Sequence, residues 1–147
     1  MRVAGAAKPT RGSKAMADNG LITLASPHSA RDTMERLLAA LAPRNMTVFA
    51  RVDHAANATA AGMSLRPTEV VLFGNPKGGT VLMQDQQTAG IDLPLKALVW
   101  EDAGGKAWLG YNDPHWLAQR HGLGDNSAAA VATMAAALKA MALEVTS

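Results

Sequence analysis

The chain contains no cysteine among its 147 residues, which excludes disulfides, thiolate metal ligands and a thiol nucleophile, and is in keeping with a cytoplasmic protein. Aromatic residues make up 4% of the sequence, so the stacking platforms that grip single-stranded nucleic acid have little to be built from. No apolar run approaches bilayer length, so no membrane association is expected. Charge is also scarce, and unevenly placed. Arg2, Lys8, Arg11 and Lys14 occupy residues 1–17 without a single acid, leaving 10 basic against 12 acidic residues in the remainder. The net charge of +2 therefore belongs to a basic tail and not to the body of the protein. Without a basic face of its own, the body is not expected to bind nucleic acid.

Apolar residues are 48% of the chain, enough for one sizeable core at this length. We expect residues 1–19 to be a disordered basic tail and residues 20–147 to form a single domain.

The most informative stretch is Glu69–Thr80. Val70, Val71, Leu72 and Phe73 are a compact apolar run without helical spacing, read as a central strand buried on both faces. Gly74 ends it. Asn75 can cap a following helix and Pro76 suits its first position. Lys77, Gly78, Gly79 and Thr80 follow. This is not a phosphate-binding P-loop, because Lys77 precedes the glycines instead of following them. Free amides at a helix start and one lysine still make a generic anion site. The competing reading is that Gly78 and Gly79 allow close packing against the sheet or a second subunit.

Before this stretch, Leu21–Ala25 reads as a strand. Ser26 and Ser29 are two possible caps of a helix that places Met34, Leu37, Leu38 and Leu41 on one stripe. Met46–Val52 alternates, with Val48, Ala50 and Val52 on one face and Thr47, Phe49 and Arg51 on the other. Asp53 fits the cap of a short Ala-rich helix. Next to it, His54 can act as acid, base or ligand. An acid–base enzyme using Asp53 and His54 is therefore conceivable, although no nucleophile motif accompanies them.

After it, Leu95–Glu101 and Lys106–Tyr111 form a hairpin around Asp102–Gly105, with Trp100, Trp108 and Tyr111 as packing residues. Asn112-Asp113-Pro114 caps a short helix that carries His115 and ends near His121-Gly122. Residues 126–145 form a long Ala-rich helix with Val131, Met134, Leu138 and Met141 on its buried stripe. The histidines lack one-face spacing, and no metal site is expected from them.

Several motifs together resemble the bacterial and archaeal family called domain of unknown function 302. They are the runs 47–56, 65–69, 73–80, 92–96 and 108–114, and the likeness extends over residues 21–123. The resemblance implies a two-layer α+β fold, helices packed on a mostly antiparallel sheet of about five strands, and the expectation of a homodimer. It implies no activity, and any cofactor is left unknown. Asp53, His54, Asn75, Lys77, Thr80 and Asp92 are the motif residues least explained by packing. The sequence reading is a domain that binds a small anionic ligand at the Gly74–Thr80 turn, near Asp53 and His54. A ligand-free dimeric interaction module is the alternative.

Overall fold

The computed structural model describes residues 19–147 and, before them, the short strand β1 (Ala15–Met16). The remaining elements are β2 (Leu21–Ser26), α1 (Ala30–Leu41), β3 (Thr47–Asp53), α2 (His54–Ala60), β4 (Thr68–Gly74) and α3 (Pro76–Asp85). They are followed by β5 (Leu95–Glu101), β6 (Ala107–Asn112), α4 (Pro114–His121) and α5 (Asp125–Val145), with 3₁₀ turns at Ala42–Arg44 and Gln87–Ile91. The sheet order is β1-β2-β6-β5-β4-β3, and every neighbouring pair is antiparallel. This is the expected two-layer α+β architecture, with one strand more than the five read from the sequence. The extra strand falls in the expected disordered tail: Ala15 and Met16 pair with Thr23 and Ile22. Residues 1–14 and 17–18 of that tail lie outside the described residues.

Local chemistry accounts for the helix starts. Ser29 accepts from the Asp32 amide, Asp53 from Ala56, Asn75 from Lys77 and Asp113 from His115. Each thereby satisfies one of the orphan amides of a first turn. The start of α5 is capped differently. Gly124 has no side chain to offer, and Oδ2 of Asp85, the last residue of α3, accepts from the Gly124 amide at 2.9 Å and the Ser127 hydroxyl at 2.7 Å. These two hydrogen bonds hold the Asp85 carboxyl below its ordinary value of 3.8.

One face of the sheet carries the core. Ile22, Leu24, Val71, Phe73, Ala97, Val99, Leu109 and Tyr111 are buried under Met34, Leu37 and Leu41 of α1, Leu82 of α3, and Val131, Leu138 and Met141 of α5. Burial pushes the Tyr111 phenol up, with nearby Asp113 adding to the shift. The helical stripes read from the 3.6 period in α1 and α5 are the ones that face this core. By length and composition α5 is apolar enough to cross a bilayer, with a mean hydropathy of 1.5, because alanine raises the index without large side chains. In this fold it packs on α1, α3 and α4.

The other sheet face has no helical cover among the described residues. Register places Val52, Val70, Leu98 and Gly110 across it, with Leu72, Trp100 and Trp108 beside them. Val52, Val70, Leu72, Leu98 and Trp100 are half-buried. Strand β4 is therefore neither central nor doubly buried: it lies next to the edge strand, and Val70 and Leu72 face outward. An unbroken apolar run reads the same whether its second face meets a helix or is left half-exposed. The indoles of Trp100 and Trp108 stack 6.3 Å apart on this face, and Trp108 Nε1 donates to Asp102 at 2.9 Å. A Cβ on Gly110 would come within 2.9 Å of the Trp100 ring, so the glycine makes room for the stack. Tyr111 points to the face opposite the tryptophans, as strand alternation requires.

Strand β3 departs from simple alternation. Val48 opposes Phe73 while Ala50 opposes Leu72, so a bulge between them puts Val48 and Ala50 on opposite faces. It leaves Phe49 about half exposed, at 51%.

Candidate functional site

Two cavities flank the β3–β4 pair, one at each end. The first, about 450 Å³, lies where β4 turns into α3. Gly74 to Gly79 form one side and Leu93, Pro94 and Leu95 another. Met46 and Phe49 close it from β3 and the turn before it, while Ala130, Thr133, Met134 and Ala137 of α5 line the far wall. Its surface is thus aliphatic and aromatic, and its cationic groups are Arg44 and Lys77. These two differ. The Arg44 guanidinium donates to the Ala40 carbonyl at 2.9 Å and pairs with Glu144 at 3.1 Å. Lys77 is exposed, and its ammonium has no hydrogen bond or ion pair among the described residues. Within the first turn of α3, Pro76 has no amide hydrogen and the Lys77 amide is taken by Asn75 Oδ1 at 2.9 Å. The Gly78 amide and the Asn75 side-chain NH₂ remain as donors beside the lysine.

One glycine of the pair packs closely. A Cβ on Gly78 would meet Met134 Cε at 2.9 Å, so this residue does allow close helix packing, against α5 and not against the sheet. Gly79 has only an ordinary contact, 3.7 Å to Leu93 Cδ1.

The second cavity, about 550 Å³, lies under α1 and α2 at the other end of β3 and β4, and is polar. Arg31, Glu35, Arg51, Asp53 and Glu69 line it. Arg51 binds Glu69 through Nε at 3.0 Å and its terminal nitrogen at 2.9 Å.

The expected convergence of Asp53 and His54 with the Gly74–Thr80 turn does not occur. Asp53 opposes Glu69 whereas Thr47 opposes Gly74, so five strand residues, or roughly 17 Å, separate the two groups. Reading β3 as antiparallel to β4 requires it: the end of one strand lies beside the beginning of the other. Asp53 is an exposed cap on the second cavity, and the adjacent His54 is exposed with no partner among the described residues. Thr80 donates its hydroxyl back to the Pro76 carbonyl at 2.7 Å, within its own helix. Of the six residues singled out from the sequence, Asn75 and Lys77 line the first cavity.

Asp92 is engaged elsewhere. Its two oxygens each lie 3.0 Å from an Arg120 terminal nitrogen, and Oδ2 lies 2.5 Å from His121 Nε2. The other ring nitrogen of His121 is 3.1 Å from the Thr88 hydroxyl. With Nε2 protonated toward the carboxylate, Nδ1 accepts from Thr88. A cationic last turn of α4 draws the carboxylate away from the cavity. Hydroxyl, imidazole and carboxylate occur in the order of a nucleophilic relay. However, none of the three lines either of these two cavities. Among the described residues, no three His, Asp or Glu side chains are gathered as a metal site.

Sequence reasoning missed Arg44, Phe49, Leu93 and Met134. Each comes from a different part of the chain, and only the exposed phenylalanine in a strand carried a visible signal.

Among curated proteins, the chain is 56% identical over 117 residues to the fluoride-specific ion channel FluC 1 of Brucella suis and to FluC 1 of Brucella abortus. The match takes in 80% of this chain but 46% and 43% of theirs, so the chain spans less than half the length of these relatives. Among solved structures, the crystal structure of an uncharacterized conserved protein DUF302 from Bacillus stearothermophilus superposes with a TM-score of 0.77. It covers 86% of this chain and 98% of the other at 18% identity, a likeness of fold. The family model described as Domain of unknown function DUF302 matches residues 22–141, most of the length, and this chain belongs to that family.

Proposed function

We propose that this domain binds a small anionic ligand in the cavity beside the Gly74–Gly79 turn. The observation that carries the proposal is the Lys77 ammonium, which lines that cavity with no counter-charge bound to it among the described residues. The Gly78 amide and Asn75 NH₂ lie beside it, and the N-terminal end of α3 favours negative charge. In this reading Asp53, His54, Thr80 and Asp92 take no part in the site. A thermal-shift panel of phosphate, acetate and mononucleotides tests it: at least one anion raises Tm in the wild type and fails to do so in Lys77→Ala. No shift with any of them, or the same shift in the variant, refutes the proposal.

We assign the ion conduction named for the longer Brucella proteins to the part of them outside the match. That assignment is supported by the one long apolar helix among the described residues, α5, which is packed into a domain of mixed α and β structure.

A second reading, a homodimeric interaction module, is favoured by the open sheet face, where Val52, Val70, Leu72, Leu98 and Trp100 remain half-buried. Such a face fits the core of an isologous interface. Under it, native mass spectrometry finds a dimer that Leu98→Glu converts to monomer. A monomeric wild type refutes it.

A further inference from the structure

We infer that the ligand is an amphiphilic carboxylate, an aliphatic chain ending in a single anionic head, and not a compact inorganic anion. This deepens the preceding reading and rests on it. The walls of the first cavity are the argument. Beyond Lys77, Asn75, Arg44 and Thr133, the surface is made chiefly by Met46, Phe49, Leu93, Pro94 and Met134, with alanines of α5. A phosphate needs several donors converging from more than one side. Here Lys77, the Gly78 amide and Asn75 stand together at the start of α3, and apart from Arg44 and Thr133 the rest of the space, about 450 Å³, offers methyl, methylene and ring surfaces. That volume lies within the roughly 300–1,000 Å³ of pockets that enclose small organic ligands.

The second cation strengthens the case for one negative charge. Arg44 also borders the cavity, but its guanidinium is neutralised by Glu144 and anchored on the Ala40 carbonyl. One unneutralised positive charge matches one carboxylate. The wall is adaptable as well: the Met134 thioether sits over Gly78, and methionine repacks easily around chains of different length.

The test is a ¹H–¹⁵N chemical-shift titration of the full chain with butanoate, hexanoate, octanoate, octan-1-ol and inorganic phosphate. Expected are shifts of the Gly78, Gly79 and Ala130 amides and binding that tightens up to about fourfold per methylene, the value of a buried CH₂. Octanol should bind about tenfold more weakly than octanoate, and Lys77→Met should remove that difference while leaving octanol binding intact. Thr133→Trp, at an exposed position of α5 that lines the cavity, should block both ligands, with the circular dichroism spectrum confirming the fold. If phosphate and butanoate bind as tightly as octanoate and depend on Lys77, the amphiphile is wrong and the anion site stands. If octanol equals octanoate, or no probe binds, both readings fall.

Discussion

The glycine pair of α3 offers a test of the packing that builds the cavity. Gly79 lies in the fourth position of the helix with ordinary helical geometry, and an added Cβ would meet nothing closer than 3.7 Å. Replacing it with alanine removes the entropic cost of glycine in a helix, about 0.5–1 kcal/mol. Gly78 is one residue earlier, and its new methyl would stand 2.9 Å from Met134 Cε, closer than carbon atoms approach. The methionine end must swing by several tenths of an ångström, away from a position where it is 9% exposed. Gly78→Ala is therefore expected to be at least about 0.5 kcal/mol less favourable than Gly79→Ala, offsetting most or all of the propensity gain. Urea unfolding followed by far-ultraviolet circular dichroism, with an unchanged m value, measures both. In a thermal scan the Gly79→Ala gain corresponds to a Tm rise of about 1.5–3 °C for a chain of this size. Equal gains at the two positions would refute the proximity of α3 to Met134. A loss above about 1 kcal/mol at Gly79 would refute the helical placement of the turn.

Two further predictions concern the ties around the helices. Because Asp85 holds the start of α5 with a carboxyl pKa depressed in the folded state, its contribution is present above the unfolded value near 3.8 and is lost as pH falls through the lower folded value. Wild-type Tm should accordingly drop more steeply below about pH 4 than that of Asp85→Asn, and parallel profiles would refute the cap. Asp92→Ala removes the acceptor of a His121 side chain that is 7% exposed, and should cost about 1–3 kcal/mol in urea unfolding. It should leave anion binding at Lys77 unchanged, and a loss of binding there would return Asp92 to the site.

Local rules made much of this protein legible. The caps Ser29, Asp53, Asn75 and Asp113 act within three residues of themselves, and the stripes of α1 and α5 repeat over one or two turns. Those features depend on neighbours along the chain, so the sequence determines them, and with them the order of helices and strands. The family resemblance supplied the two-layer arrangement in the same way, through motifs met in order.

What the tertiary structure alone decided is which distant residues meet. Antiparallel pairing of β3 with β4 sends Asp53 and Asn75 to opposite ends of the sheet, although both cap helices that follow strands. The bulge at Val48–Ala50 turns Phe49 into the cavity, and helix packing brings Met134 over Gly78, 56 positions away in the chain. Asp92, an isolated acid in sequence, finds Arg120 and His121 at the end of α4. These contacts join segments with no local reason to be adjacent. They follow from strand register and from the burial of one sheet face under three helices, a balance set by the whole core and carried by no single stretch of residues.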